Sequence, residues 1–278
     1  MKFYKSFGFK LVCFFSVTFF FQNKINGQQY FETSGTLVVG AKCSDGAILI
    51  ADSRVSVVLS NHSPDSPAAY FDKMPKIYIE KKIAFGTRGT RSTGEIDYAA
   101  LVISNYKTCQ SYGDLDTVVN CLIALNKASN SFNTFRNNFT FFMSAFSGKT
   151  ELILTDNRST FTFLAGFYGT SQDFKRFVEL ENKVVFDSLN RSQYTCQKAS
   201  NLLQNFMRLY IKKNKLDWHI GGPFSVLKVT PTNKFIWLQN DFTKNNIPPN
   251  EIMPRIKSGK LQVTYTWPGA EQELLRSR

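Results

Sequence analysis

Two short apolar runs constrain this chain more than any other feature: residues 36–41 (TLVVGA) and 47–51 (AILIA), with Cys43-Ser44-Asp45-Gly46 between them. Neither run is long enough for a helix, both contain β-branched residues, and Asp-Gly is a favoured tight-turn pair. They predict a hairpin of buried strands. Residues 77–80 and 83–86, turned around Lys81 and Lys82, predict a second strand pair, and the Ser-, Pro- and Asp-rich stretch 60–69 between the pairs predicts a loop.

Further along, Ile96, Ala99, Ala100 and Ile103 recur at helical spacing within residues 94–112, and Asp114 can cap a second helix running to Leu125. Strands return at 139–146, 151–155 and 160–165, punctuated by Gly148 and Asp156-Asn157. Ala199, Leu202, Leu203, Phe206 and Tyr210 mark a third helix over 192–213, and 224–230 with 234–238 make a closing hairpin. The order is strands, two helices, strands, helix, strands, without the βαβ alternation of a parallel sheet. It predicts an α+β fold, a four-layer αββα sandwich of two antiparallel sheets flanked by helices. With 278 residues, 43% of them hydrophobic, the chain can bury a sizeable core. A polar, proline-containing tail, 241–278, is expected to be peripheral.

The first residues bear on compartment. Lys2, Lys5 and Lys10 precede an almost unbroken apolar run, 11–21 (LVCFFSVTFFF), and polar Gln22, Asn23 and Lys24 follow it. A basic start and an apolar stretch short for a bilayer are the pattern of a signal peptide, with cleavage expected near Gly27 and a secreted or periplasmic product; an uncleaved anchor is the alternative. Residues 28–35 then form a short pro-segment and 36–240 the main domain. The formal charge of +13 raises nucleic acid as a partner. The basic residues are scattered, however, and no finger, basic-zipper or RNA-binding motif accompanies them, so a solvated basic surface is expected, with no nucleic-acid partner and no membrane contact after signal removal. Cys13 lies in the signal segment, which leaves Cys43, Cys109, Cys121 and Cys196 with three alternative pairings or as free thiols. No CxxC pair occurs and histidines are limited to His62 and His219, so neither a metal nor another cofactor is expected.

The residues that could carry chemistry stand in a fixed order: Gly35-Thr36 before LVVGAK, Asp52 at the end of DGAILIAD, Pro75-Lys76 before IYI, Ile83-Ala84-Phe85-Gly86, and late in the chain Asp217-Trp218-His219-Ile220-Gly221-Gly222. This order resembles the proteasome β-subunit family of N-terminal nucleophile hydrolases over roughly residues 36–238. The resemblance implies a threonine-type peptidase or amidase in which cleavage of the Gly35–Thr36 bond frees the Thr36 α-amine. That amine, with a pKa near ~7.7–8, serves as base for the Thr36 hydroxyl. It further implies that Lys76 sits beside the hydroxyl, that Asp52 holds Lys76, that Asp217 orients the N-terminal end, and that the Gly89 N–H, or that of Thr90, stabilises the oxyanion. Peptide or amide substrates and self-association follow from the same likeness.

Each residue also has an ordinary reading. Asp52 can start a turn, Lys76 can be a strand-edge lysine, and Gly221-Gly222 can be a tight bend. The sequence departs from the family at Ile220, where a serine is expected, and at 166–170 (GFYGT), where the family has Gly-Ser-Gly; residues 56–74 form a longer connection than the family's. A non-catalytic scaffold or binding protein of the same fold is therefore the rival function. Four glycosylation sequons, at Asn61, Asn138, Asn157 and Asn190, are expected to mark surface loops.

Overall fold

The computed structural model describes residues 30–34, 37–59, 62, 66–92, 96–129, 135, 137–146, 148–215 and 220–276. The chain opens with β1 (Tyr30–Ser34), β2 (Val38–Cys43), β3 (Gly46–Ala51), β4 (Val55–Leu59), β5 (Ala69–Phe71), β6 (Ile77–Glu80) and β7 (Ile83–Ser92). Helices α1 (Tyr98–Cys109) and α2 (Leu115–Ala128) follow, then β8 (Phe139–Phe146), β9 (Lys149–Thr155), β10 (Thr160–Thr162) and β11 (Phe167–Gly169). Three more helices, α3 (Gln172–Glu181), α4 (Lys183–Asn190) and α5 (Cys196–Lys213), lead to the hairpin β12 (Ser225–Val229) and β13 (Phe235–Gln239). The tail adds α6 (Pro249–Lys257), β14 (Thr264–Tyr265) and α7 (Ala270–Arg276).

One sheet has the order β11-β2-β3-β12-β13; the other runs β10-β9-β8-β7-β1-β4-β5-β14, with β6 also paired to β7. All the pairings are antiparallel. Period-two alternation explains the layers. On β3, Ile48 and Ile50 face a core shared with α3, α4 and α5, while Ala47, Leu49 and Ala51 face the other sheet. On β8 and β9, Phe142 and Ile153 face α1 and α2, while Phe141, Met143, Leu152 and Leu154 face inward. Strands covered on both faces read as continuous apolar runs, which is why the hairpin 36–51 stands out in the sequence. The resulting order is helices, sheet, sheet, helices, the expected αββα sandwich.

Several details differ from expectation for identifiable reasons. The first helix starts at Tyr98, where the Asp97 side chain accepts from the Ala100 N–H, and the third at Cys196, capped by Thr195. Asp114 caps α2 as expected. The long connection 56–74 contains β4 and β5, and residues 30–33 pair along β4 while 32–34 pair along β7. The tail builds a fourth apolar cluster: Ile252 and Leu274, both fully buried, pack with Val55, Val57 and Phe71. Cys109 and Cys121 are joined in a disulfide that links α1 to α2; Cys43 and Cys196 are free thiols. Of the sequons, Asn138 and Asn157 are each only 2% exposed and their amides donate to the carbonyls of Thr90 and Phe135, so these two are structural residues and not surface acceptors. Asn61 and the signal segment lie outside the described residues. Among the described residues no helix is long and apolar enough to cross a membrane.

Candidate active site

Asp52 is the first residue beyond β3. Ala51 stands opposite Val38 on one side and Ser225 on the other, so the carboxylate projects where β2 begins and where the chain enters β12. Its Oδ1 accepts from the Leu37 N–H at 3.2 Å. Its Oδ2 accepts from the N–H groups of Arg54 at 3.2 Å and Gly221 at 3.0 Å, and from Lys76 Nζ at 2.9 Å. The pair is removed from water, Asp52 being 0% and Lys76 2% exposed. Burial pushes the Asp52 carboxyl up, against the opposing pull of Lys76 and the backbone donors. Burial likewise holds Lys76 below the ordinary lysine value, with Asp52 opposing. A lysine so placed exchanges its proton closer to neutrality than a surface lysine does.

A second ring of contacts fixes this pair. Arg54 grips Asp72 with two hydrogen bonds, at 2.7 and 3.0 Å, and its guanidinium lies 3.9 Å from the centre of the Tyr70 ring. Ser53 donates its N–H to the Gly221 carbonyl and accepts from the Met74 N–H, which ties 52–54, 72–74 and 220–222 into one knot. Gly222 has φ +70°, and a Cβ there would fall 2.7 Å from Ser53 Oγ. The glycine pair is thus needed for close approach and delivers the Gly221 N–H to Asp52.

Gly89 lies on the far half of β7, opposite Ser34. It has φ +124°, and a Cβ would stand 2.2 Å from Asn138 Oδ1. Asn138 uses both ends of its amide on the next residue, accepting from the Thr90 N–H and donating to the Thr90 carbonyl, each at 2.9 Å. The Thr90 N–H is therefore engaged by Asn138, and Gly89 stands beside it in the pairing with β1. Gly35, Thr36 and Asp217 lie outside the described residues. The residues flanking the first two are placed: Ser34 against Gly89 and Leu37 against Asp52. Ile220, where the family has a serine, is buried in the helix-side core.

Thr170 is a residue that the sequence did not single out. Its hydroxyl accepts from the Val38 N–H at 3.1 Å, and its own N–H donates to the Val38 carbonyl at 2.9 Å. A hydroxyl is thus held one residue beyond Leu37, supplied by the segment in which the family's serine is missing. The signal that could have located it is the β11–β2 register, in which Gly169 opposes Val39. Beside Thr170 opens an aromatic cavity of about 650 Å³, lined by Phe139, Phe163, Tyr168 and Lys175 among others, with the exposed Phe161 on its rim. No cluster of metal-ligating side chains stands at this site among the described residues.

Two facing antiparallel sheets enclosed by helices make a proteasome-like fold, and a buried carboxylate–lysine pair stands where β2 begins and β3 ends. Among solved structures the chain is similar to a mutant form of Anbu from Hyphomicrobium sp. strain MC1, with a TM-score of 0.51 and 13% identity, over 83% of this chain and 100% of that one. At this identity the likeness is one of fold. No protein-family model and no curated protein matches the chain.

Proposed function

We propose that the chain is a threonine-type N-terminal nucleophile hydrolase of peptide or other amide bonds, matured by cleavage of Gly35–Thr36. The observation that carries this reading is the buried Asp52–Lys76 pair, whose carboxylate also holds the N–H of Leu37, the residue directly after the nucleophile. Desolvating two charges costs several kcal/mol each before they attract one another, so a buried pair at a strand end is a poor device for stability alone. As a device for catalysis it places an amine next to the start of β2.

In the proposed reaction the freed α-amine takes the Thr36 hydroxyl proton, with Lys76 easing the transfer. The oxygen attacks the substrate carbonyl carbon, and the oxyanion is met by the Gly89 N–H. Collapse expels the amine with the proton and leaves an ester on Thr36, which water then cleaves. Asp217 would orient the new N-terminus. Strand β1, hydrogen-bonded between β4 and β7, supports the further reading that this slot accepts an extended chain through main-chain hydrogen bonds. The aromatic cavity beside Thr170 would favour large apolar groups in the substrate. Export and self-association belong to the same proposal.

A non-catalytic scaffold is the rival, favoured by Ile220. Intact mass and N-terminal sequencing of purified wild type and Thr36→Ala decide between them. A wild type beginning at Thr36, beside a mutant that keeps earlier residues, is the expected result. If both share one N-terminus upstream of Thr36, the hydrolase reading fails and the scaffold reading stands.

A further inference from the structure

At the end of β2 remote from Leu37, two thiols outside the proposed chemistry stand together. Cys43, the last residue of β2, is half-buried, and Cys196, the first residue of α5, is fully buried. Their sulfurs and a carboxylate oxygen of Asp45 lie within 4.8 Å of one another. The backbones that carry them are pinned: Ser44 N–H donates to the Tyr194 carbonyl, and Cys196 N–H to Asp45 Oδ1 at 2.7 Å. The other oxygen of Asp45 is held by Lys228 Nζ at 2.5 Å. With both oxygens engaged, the carboxylate is poorly placed to complete a metal site, whereas the two sulfurs, within 4.8 Å of each other, face one another across the hairpin turn and the start of α5. Cys109 and Cys121 already hold each other, so they do not compete.

We propose that Cys43 and Cys196 form a second disulfide under oxidising conditions, stapling the N-terminus of α5 to the turn of the β2–β3 hairpin. The inference goes beyond the hydrolase reading and does not depend on it. With a small-molecule disulfide such as oxidised glutathione as oxidant, the Cys43 thiolate attacks one of its sulfurs and releases one glutathione thiolate. The Cys196 sulfur, its proton lost to solvent, then attacks Cys43 in the mixed disulfide and releases the second. Two protein thiols are oxidised, and one disulfide is reduced to two thiols. The order follows from access. Cys43 is half-buried, whereas Cys196 is fully buried, so the external disulfide reaches Cys43 first. Hydrogen bonding to Cys43, and then burial, hold the Cys196 thiol well above the ordinary range.

The test exposes the full chain to oxidised glutathione, blocks remaining thiols with N-ethylmaleimide, and maps peptides without reduction. A cross-linked Cys43–Cys196 peptide beside an unchanged Cys109–Cys121 is expected, and oxidised wild type should melt about 5 °C or more above Cys43→Ser treated in the same way. Three results overturn the proposal: both cysteines recovered as maleimide adducts, a glutathione adduct persisting on Cys43, or protection that disappears when zinc is removed with a chelator. Mapping is done on wild type, so the conclusion does not depend on whether the variant folds.

Discussion

Replacing Asp52 with asparagine would leave the Lys76 ammonium buried without a counter-charge, and replacing Lys76 with methionine would strand the Asp52 carboxylate. Each single change is expected to destabilise by ~3–5 kcal/mol, and the double change by less than the sum, because two neutral side chains need no mutual compensation. Urea denaturation of the four proteins in this cycle checks it; strict additivity would show that the pair is not coupled. The proposed activity adds a pH signature. Burial lowers the pKa of Lys76 and so extends downward the range in which its amine is free. Hydrolysis of an amide substrate should therefore be lost on the acid side, once Lys76 and the α-amine are both protonated; a rate flat from about pH 9 to about pH 5 would remove both from the mechanism. Asp52 and Lys76 were legible in the sequence through the family resemblance, one directly after β3 and the other directly before β6. Thr170 and Asn138 were not, because their roles are set by cross-strand partners far away in the chain, Val38 for one and Thr90 for the other.

Among the elements, the disulfide between α1 and α2 closes a short loop, with a sequence separation of 12 residues. Cys121→Ser is expected to lower stability by ~2–4 kcal/mol, measured as a reduced urea midpoint at unchanged slope. That pairing could not be chosen from sequence, since it depends on helices that pack side by side. Helices α3 and α4 escaped notice for a different reason. Asn182 ends one and caps the other, its side chain accepting from the Val185 N–H, so the pattern breaks after ten residues. Leu180 and Val184, both 75% exposed, also put apolar residues on the solvent side and blur the periodicity. Strand β4, a plain β-branched run, was read as part of a long connection because it shares that stretch with a real loop.

For the whole molecule, the two-sheet architecture followed from element order, whereas the extension of one sheet by β1, β4, β5 and β14 did not. Its stability depends on the tail. Arg91 donates through Nη2 to Asn246 and to the Ile247 carbonyl, Asn245 donates to the Lys73 carbonyl, and His62 stacks on Trp267. A chain ending at residue 240 would expose Val55, Val57 and Phe71 and is expected to lose on the order of 5 kcal/mol or to aggregate, as thermal melting and dye binding would report. Strand β1 has a wider consequence. Among the described residues, in the order β8-β7-β1-β4-β5, it is the strand that joins two otherwise separate halves of the sheet. If Gly35–Thr36 is cut, this strand ceases to be part of the chain that must refold around it. Folding would then precede maturation and not the reverse, and a mature molecule once unfolded would lack a piece of its own template, so its persistence would rest on the height of its unfolding barrier.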